Sequence, residues 1–242
     1  MPILCGCSGG DGKPVGEYVV KLLGNRGNGV SGALLELVGS RLASHFGILV
    51  PEPASVEIDN TFAEAIVEVS PSLSNSVRDS IGINFGSRLI SPMSTWLVGR
   101  SIPEAMWQDA TNIFAFDALI QNPDRRIDNP NLFTRGDEVY VYDHETSFSF
   151  LFALNRSVTP WNLEGESYLD RHVFYSRLKS KEIDLGDFAE RLGALTGQVL
   201  SSIHGDVPPE WDHPVLQRIE AHLTLLREHS GEFIEQVRRR LV

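Results

Sequence analysis

After Pro92 the sequence changes character, and that change constrains the fold more than any other feature. Ahead of it lie short apolar or β-branched runs broken by glycine-rich turns: residues 3–13 (ILCGCSGGDGK), 17–23 (EYVVKLL), 54–58, 63–69 and 83–90. Runs of this kind predict strands, and the first two predict a hairpin closed by its glycine turn. One helix is expected among them. Leu34, Leu35, Val38, Leu42 and Phe46 recur at helical spacing after a Gly- and Asn-rich loop over residues 24–32. Gly47 is placed to stop that helix. Beyond Pro92 the pattern turns helical: residues 102–121, with Ser101 and Pro103 in cap and first-turn positions, then residues 187–203 and 214–241. Two short strands, 131–133 and 138–142, interrupt the helices, with Gly136 and Asp137 as their turn. The expected fold class is α+β, with a β-rich N-terminal lobe over residues 1–92 and a mainly helical C-terminal lobe over 93–242.

Composition narrows the function. A net charge of −11 with 21 basic residues leaves no surplus of clustered cations for a phosphate backbone, so no direct nucleic-acid binding is expected. Arg238, Arg239 and Arg240 at the end of a helix read as ordinary complementation of its dipole. The two cysteines, Cys5 and Cys7, make neither a disulfide framework nor a four-ligand zinc site, which points to a reducing compartment. Neither a leader segment nor a run of roughly 20 apolar residues is present. A cytoplasmic protein with no membrane partner is the expectation.

The informative stretch is QNPDRRIDNPNLF, residues 121–133, followed ten residues later by VYVYDHETSF. Taken alone, a loop so rich in Asn, Asp and Pro reads as a surface turn. Its context argues otherwise. Asp124 and Asn129 stand five residues apart between a helix and a strand, as in a kinase catalytic loop, where an Asp meets the substrate hydroxyl and an Asn holds a metal ion. Asp143 follows a hydrophobic strand, where a kinase places its principal Mg²⁺ ligand. An ATP triphosphate needs hard cations bound by oxygen, which Asp143 and Asn129 supply, and a carboxylate on a rigid loop, Asp124, to orient the acceptor hydroxyl and accept its proton. Arg125 or Arg126 can neutralise the loop, contact phosphate or serve as a structural ion-pair partner.

Lys21 sits in a strand with apolar neighbours on both sides. It either snorkels from an edge or points into the site as a phosphate clamp. Glu36 interrupts an apolar helix, where a bare carboxylate is costly, and a Lys21–Glu36 ion pair would satisfy both. The turn Ser8-Gly9-Gly10-Asp11-Gly12-Lys13 offers backbone N–H groups that can cover phosphates, although a ligand-free hairpin turn reads the same way and the pattern is not that of a P-loop.

These residues together resemble the HipA-like kinases, and more remotely the phosphatidylinositol 3- and 4-kinases. The resemblance rests on the glycine turn, YVVKLLGN around Lys21, LLELVGSRLASHFGILVPEP with Glu36, NFGSRLI at 84–90, the NPDRRIDN run at 122–129 and YDHETSF from 142, and it spans residues 1 to about 150. It implies a two-lobed protein-kinase-like fold and Mg²⁺-dependent transfer of the γ-phosphoryl group of ATP to an unidentified hydroxyl acceptor, Ser or Thr of a protein in the best-known members. A catalytically silent pseudokinase that binds nucleotide is the alternative. The resemblance assigns Asp124, Asn129 and Asp143 to catalysis, Asn129 and Asp143 to metal, and Lys21, Glu36, Ser8, Gly9 and Gly10 to nucleotide. It also implies that Ser8 can be phosphorylated in a way that disturbs the nucleotide-binding loop. Glu145 is expected to support the site indirectly, and His144 has no assigned role.

Overall fold

The computed structural model describes residues 2–25, 29–152, 159–211 and 213–242. Its first part is an antiparallel sheet of four strands, β1 (Pro2–Ser8), β2 (Pro14–Lys21), β3 (Pro53–Ile58) and β4 (Gly82–Arg88), in the order β1-β2-β4-β3. The glycine turn closes the β1–β2 hairpin as expected, with the Gly9 N–H donating to the Lys13 carbonyl at 2.8 Å. Strand alternation then separates two faces. Tyr18 and Val20 pack into a small core with Ile58, Ala63 and Val77, whereas Val19 and Lys21 line the opposite side, toward a cleft.

Helix α1 (Gly29–His45) carries the expected apolar pattern and ends before Gly47, whose φ of +73° is the left-handed conformation that glycine adopts without strain. Its first turn occupies residues 29–32, which the sequence reading assigned to the preceding loop. The helix is apolar nearly all round because two partners bury it. Ala33 and Leu37 meet Phe85 of β4 and Trp211, while Leu34, Leu35, Val38 and Leu42 join the large helical core.

The expected strand at residues 63–69 is instead helix α2 (Asn60–Val69). Asp59 caps it by accepting the Phe62 N–H at 2.7 Å, and Phe62, Ala63 and Ile66, at helical spacing, pack against the small core. A short helix α3 (Ser74–Arg78), absent from the sequence reading, follows and buries Val77.

After the two-residue strand β5 (Ser94–Thr95), a 3₁₀ turn at Glu104–Met106 leads into α4 (Trp107–Leu119). The helix therefore begins later than residue 102. Pro103 is extended and Ser101 caps nothing, because the 3₁₀ turn drives Met106 into the core. Strands β6 (Leu132–Arg135) and β7 (Glu138–Val141) pair across the Gly136–Asp137 turn, with β5 alongside β6. The C-terminal part holds α5 (Tyr175–Leu178), α6 (Gly186–Gly193), α7 (Gly197–Gly205), α8 (Val215–Glu228) and α9 (Ser230–Leu241). The two long helices expected at 187–203 and 214–241 are each broken. Thr196 caps α7 through its hydroxyl, and His229, at φ −111° and ψ 34°, leaves helical geometry between α8 and α9. Sheet and helices together give the expected α+β fold class. No helix among the described residues is long and apolar enough to cross a membrane.

Candidate active site

Lys21 is the last residue of β2, and its ammonium reaches a helix and a loop at once. It is ion-paired to Glu36 of α1, and it donates to Asp143 Oδ1 at 2.7 Å, with Glu145 Oε2 at 3.6 Å. Residues separated by 15 and 122 positions in the chain thus converge on one atom. Glu36 is 2% exposed, and burial holds its carboxyl above the usual range against the opposing pull of Lys21. Its second oxygen accepts the His144 N–H at 2.9 Å, so α1 fixes the loop that carries Asp143. Asp143 adopts φ +63°, which an Asp tolerates better than most side chains.

Gly39, one turn beyond Glu36, permits this approach. A Cβ there would lie 2.6 Å from His144 Cβ. Gly39→Ala is expected to push the 143–145 loop off α1, lowering stability by about 1–3 kcal/mol. Urea denaturation checks this, and a wild-type midpoint would show that the contact is not needed.

The other side of the site is the loop after α4. Asp124 accepts from Asn129 Nδ2 at 2.9 Å and from Asn131 Nδ2 at 3.2 Å, and its own N–H donates to Asn122 at 3.1 Å. With its Nδ2 so engaged, Asn129 keeps Oδ1 as the atom with which to meet a cation. Arg126 lies 3.5 Å from Asp124 and 3.3 Å from Asp128. Arg125 is wholly buried and structural. Its Nε donates to Asp117 of α4 at 2.6 Å, and its Nη1 donates to the Asn131 and Tyr142 carbonyls at 2.7 and 3.3 Å. Asp117 also accepts from His172 Nε2 at 3.0 Å and from Asn122 at 2.9 Å. Burial opposes ionisation of Asp117, yet Arg125 and His172 hold it down to about 2. This network ties the loop of Asp124 to that of Asp143. Of its members, the sequence reading had named only Arg125. Asp117 gave the same signal as Glu36, a carboxylate within an apolar helix; His172 gave none.

His144 is also fully buried, and burial, reinforced by Arg125, pushes it down to about 3. Arg125 can only donate, so the 3.5 Å contact makes His144 Nε2 the acceptor of a neutral ring. Its folded-state pKa therefore lies far below the unfolded value near 6.5. The unfolded chain takes up a proton that the folded chain refuses, so this stability is complete above about pH 6.5 and is lost as the pH falls toward 3, at about 1.4 kcal/mol per pH unit. His172, lowered by burial, acts in the same direction. A lower urea midpoint at pH 5 than at pH 7.5, with a shallower difference in His144→Gln, is the expected result; a midpoint indifferent to pH over this range would contradict it.

Between Lys21, Asp143 and the β5–β7 sheet lies a cleft of about 350 Å³, floored by Leu132, Phe133, Tyr142 and Met93. It has the size and the apolar lining of a small-molecule site with charge at one end. Ser8, Gly9 and Gly10 line a different cavity, of about 570 Å³, with Tyr18, Val56 and Phe62. Among the described residues, the structure therefore brings Lys21, Glu36 and Asp143 together and sets Asp124 with Asn129, but it places the glycine turn outside the cleft.

Glu36, Asp143 and Glu145 each offer an oxygen, all within 4.8 Å of one another. Three carboxylates against one lysine leave a surplus of negative charge, the donor chemistry of a hard divalent cation.

A family model for the HipA-like kinases matches residues 1–229, well past residue 150, where the recognisable motifs end. The crystal structure of a Helicobacter pylori proinflammatory kinase, CtkA, has a similar fold, with a TM-score of 0.50 and 13% identity over 99% of this chain and 94% of that one. Comparison with curated proteins finds no match.

Proposed function

The chain belongs to the HipA-like kinase family, and from that premise we propose that it transfers the γ-phosphoryl group of ATP, with Mg²⁺, to a serine or threonine hydroxyl of a protein. The observation that carries this reading is the meeting of Lys21 with both Glu36 and Asp143 at the mouth of an apolar cleft. Phosphoryl transfer asks little covalent work of a protein and a great deal of positioning and charge. The cleft takes the adenine against Leu132, Phe133 and Tyr142. Lys21, held by Glu36, meets the phosphates. Asp143 and Asn129 would hold magnesium, with Glu145 close behind, and the ion would neutralise the triphosphate. Asp124 orients the acceptor hydroxyl. As the bond from the γ-phosphorus to the β,γ-bridging oxygen breaks and the bond to the acceptor oxygen forms, the acceptor proton passes to Asp124, and ADP leaves.

Separating the two carboxylates tests the reading. Asp124→Asn should keep nucleotide binding, because its task belongs to the transition state, while transfer drops by orders of magnitude. ATP with Mg²⁺ should still raise the melting temperature of that variant, since a ligand bound only by the folded state at a hundred times its Kd adds about 2.7 kcal/mol. Loss of the thermal shift together with transfer would show that Asp124 has been given the wrong role.

A further inference from the structure

In a chain of net charge −11, residues 171–181 hold Arg171, Arg177, Lys179 and Lys181 and no acid. All four are exposed. Lys179 approaches the Tyr175 ring at 5.6 Å, and no side-chain hydrogen bond or ion pair joins any of the four to another described residue. Of the neighbouring acids, Asp170 is matched by Arg240 at 2.9 Å, Asp128 by Arg126 at 3.3 Å and Glu235 by Arg239 at 3.2 Å, while the exposed Glu182 beside Lys181 offsets one of the four cations. Arg238 adds a further exposed cation close by, because the Ser180 N–H donates to the Leu241 carbonyl at the end of α9.

The stretch begins against the loop of Asp124. Arg126 and His172 form an antiparallel bridge, the Ile127 N–H donates to the Arg171 carbonyl at 3.3 Å, and the Val173 N–H donates to the Arg125 carbonyl at 3.1 Å. Arg171 is therefore backbone-paired to the loop on which the acceptor hydroxyl must be presented. Unmatched cations there raise the local concentration of a negatively charged partner and favour it over a neutral one.

We propose that this basic stretch docks an acidic segment of the acceptor protein, so that the serine or threonine offered to Asp124 is flanked by Asp and Glu. The proposal rests on the kinase reading of Asp124 and names its substrate class. A protein partner is favoured over nucleic acid because the cations occupy one short stretch of a chain whose net charge is −11, too few to neutralise a long run of phosphates.

Binding without ATP tests docking apart from catalysis. Fluorescein-labelled serine peptides flanked by glutamate, by alanine or by lysine, and a single-stranded RNA of similar length, are titrated by anisotropy at low salt. The glutamate peptide is expected to bind at least about tenfold tighter than the alanine peptide. The triple variant Arg171→Glu, Lys179→Glu, Lys181→Glu should lose that preference while keeping its melting temperature and its thermal shift with ATP and Mg²⁺. With ATP present, the variant should raise KM for the glutamate peptide and leave kcat unchanged. Equal affinity for glutamate and alanine peptides would overturn the proposal, as would a preference that survives the triple variant. RNA bound more tightly than the glutamate peptide, and lost in the same variant, would overturn it in favour of a nucleic-acid site. Failure of the wild type to bind or turn over ATP would instead overturn the kinase reading, whatever the peptides do.

Discussion

Asp143→Ala should abolish transfer, with a loss of at least about three orders of magnitude, or ~4 kcal/mol of transition-state stabilisation. Asp143 is the carboxylate that meets Lys21 at 2.7 Å on the cleft side, and it has no replacement of equal placement. Glu36 is committed to Lys21 and to the His144 N–H, and Glu145 stands farther from Lys21, at 3.6 Å. The fold should survive. Asp143 is partly exposed, and its removal leaves the Lys21–Glu36 pair intact. Melting temperature without ligand should therefore stay near wild type, while the rise produced by ATP with Mg²⁺ disappears. Unchanged turnover in this variant would remove the kinase assignment.

Arg125→Met should be the most destabilising single change in the site, at about 3–5 kcal/mol. The substitution keeps most of the apolar volume but leaves Asp117 charged and buried, with only His172 and Asn122 beside it. It also removes the donors to the Asn131 and Tyr142 carbonyls that join the two loops. Against a total stability of roughly 5–15 kcal/mol for a domain, that loss approaches unfolding. A double variant, Arg125→Met with Asp117→Asn, removes the orphaned charge and should recover part of it, which separates the electrostatic cost from a failure to fold. A wild-type urea midpoint for Arg125→Met alone would show that the network is not what holds the loops.

The central pair could be read from sequence because it rests on a local conflict. A lysine among β-branched neighbours and a glutamate on an apolar helix both demand a partner, and Lys21 and Glu36 are each other's. Residues 63–69 misled because Ala, Ile and Val fit either period, and the deciding signal, the Asp59 cap, lies outside the run. The helix breaks at Thr196 and His229 escaped notice because amphipathic spacing continues across them. His172 meets Asp117 across 55 residues, a contact that only the tertiary fold creates. The glycine turn shows the limit of composition: it forms the hairpin, but strand geometry decides which cavity it lines.

The most direct measurement is transfer itself. Purified protein is incubated with Mg²⁺ and ATP labelled in the γ position, together with a cell lysate, and the labelled protein is hydrolysed to identify the modified amino acid. Label on serine or threonine, present with wild type, absent with Asp143→Ala and reduced by orders of magnitude with Asp124→Asn, is the predicted result. Nucleotide that binds and stabilises the wild type yet is never cleaved or transferred would contradict it and leave a nucleotide-binding module on a kinase fold.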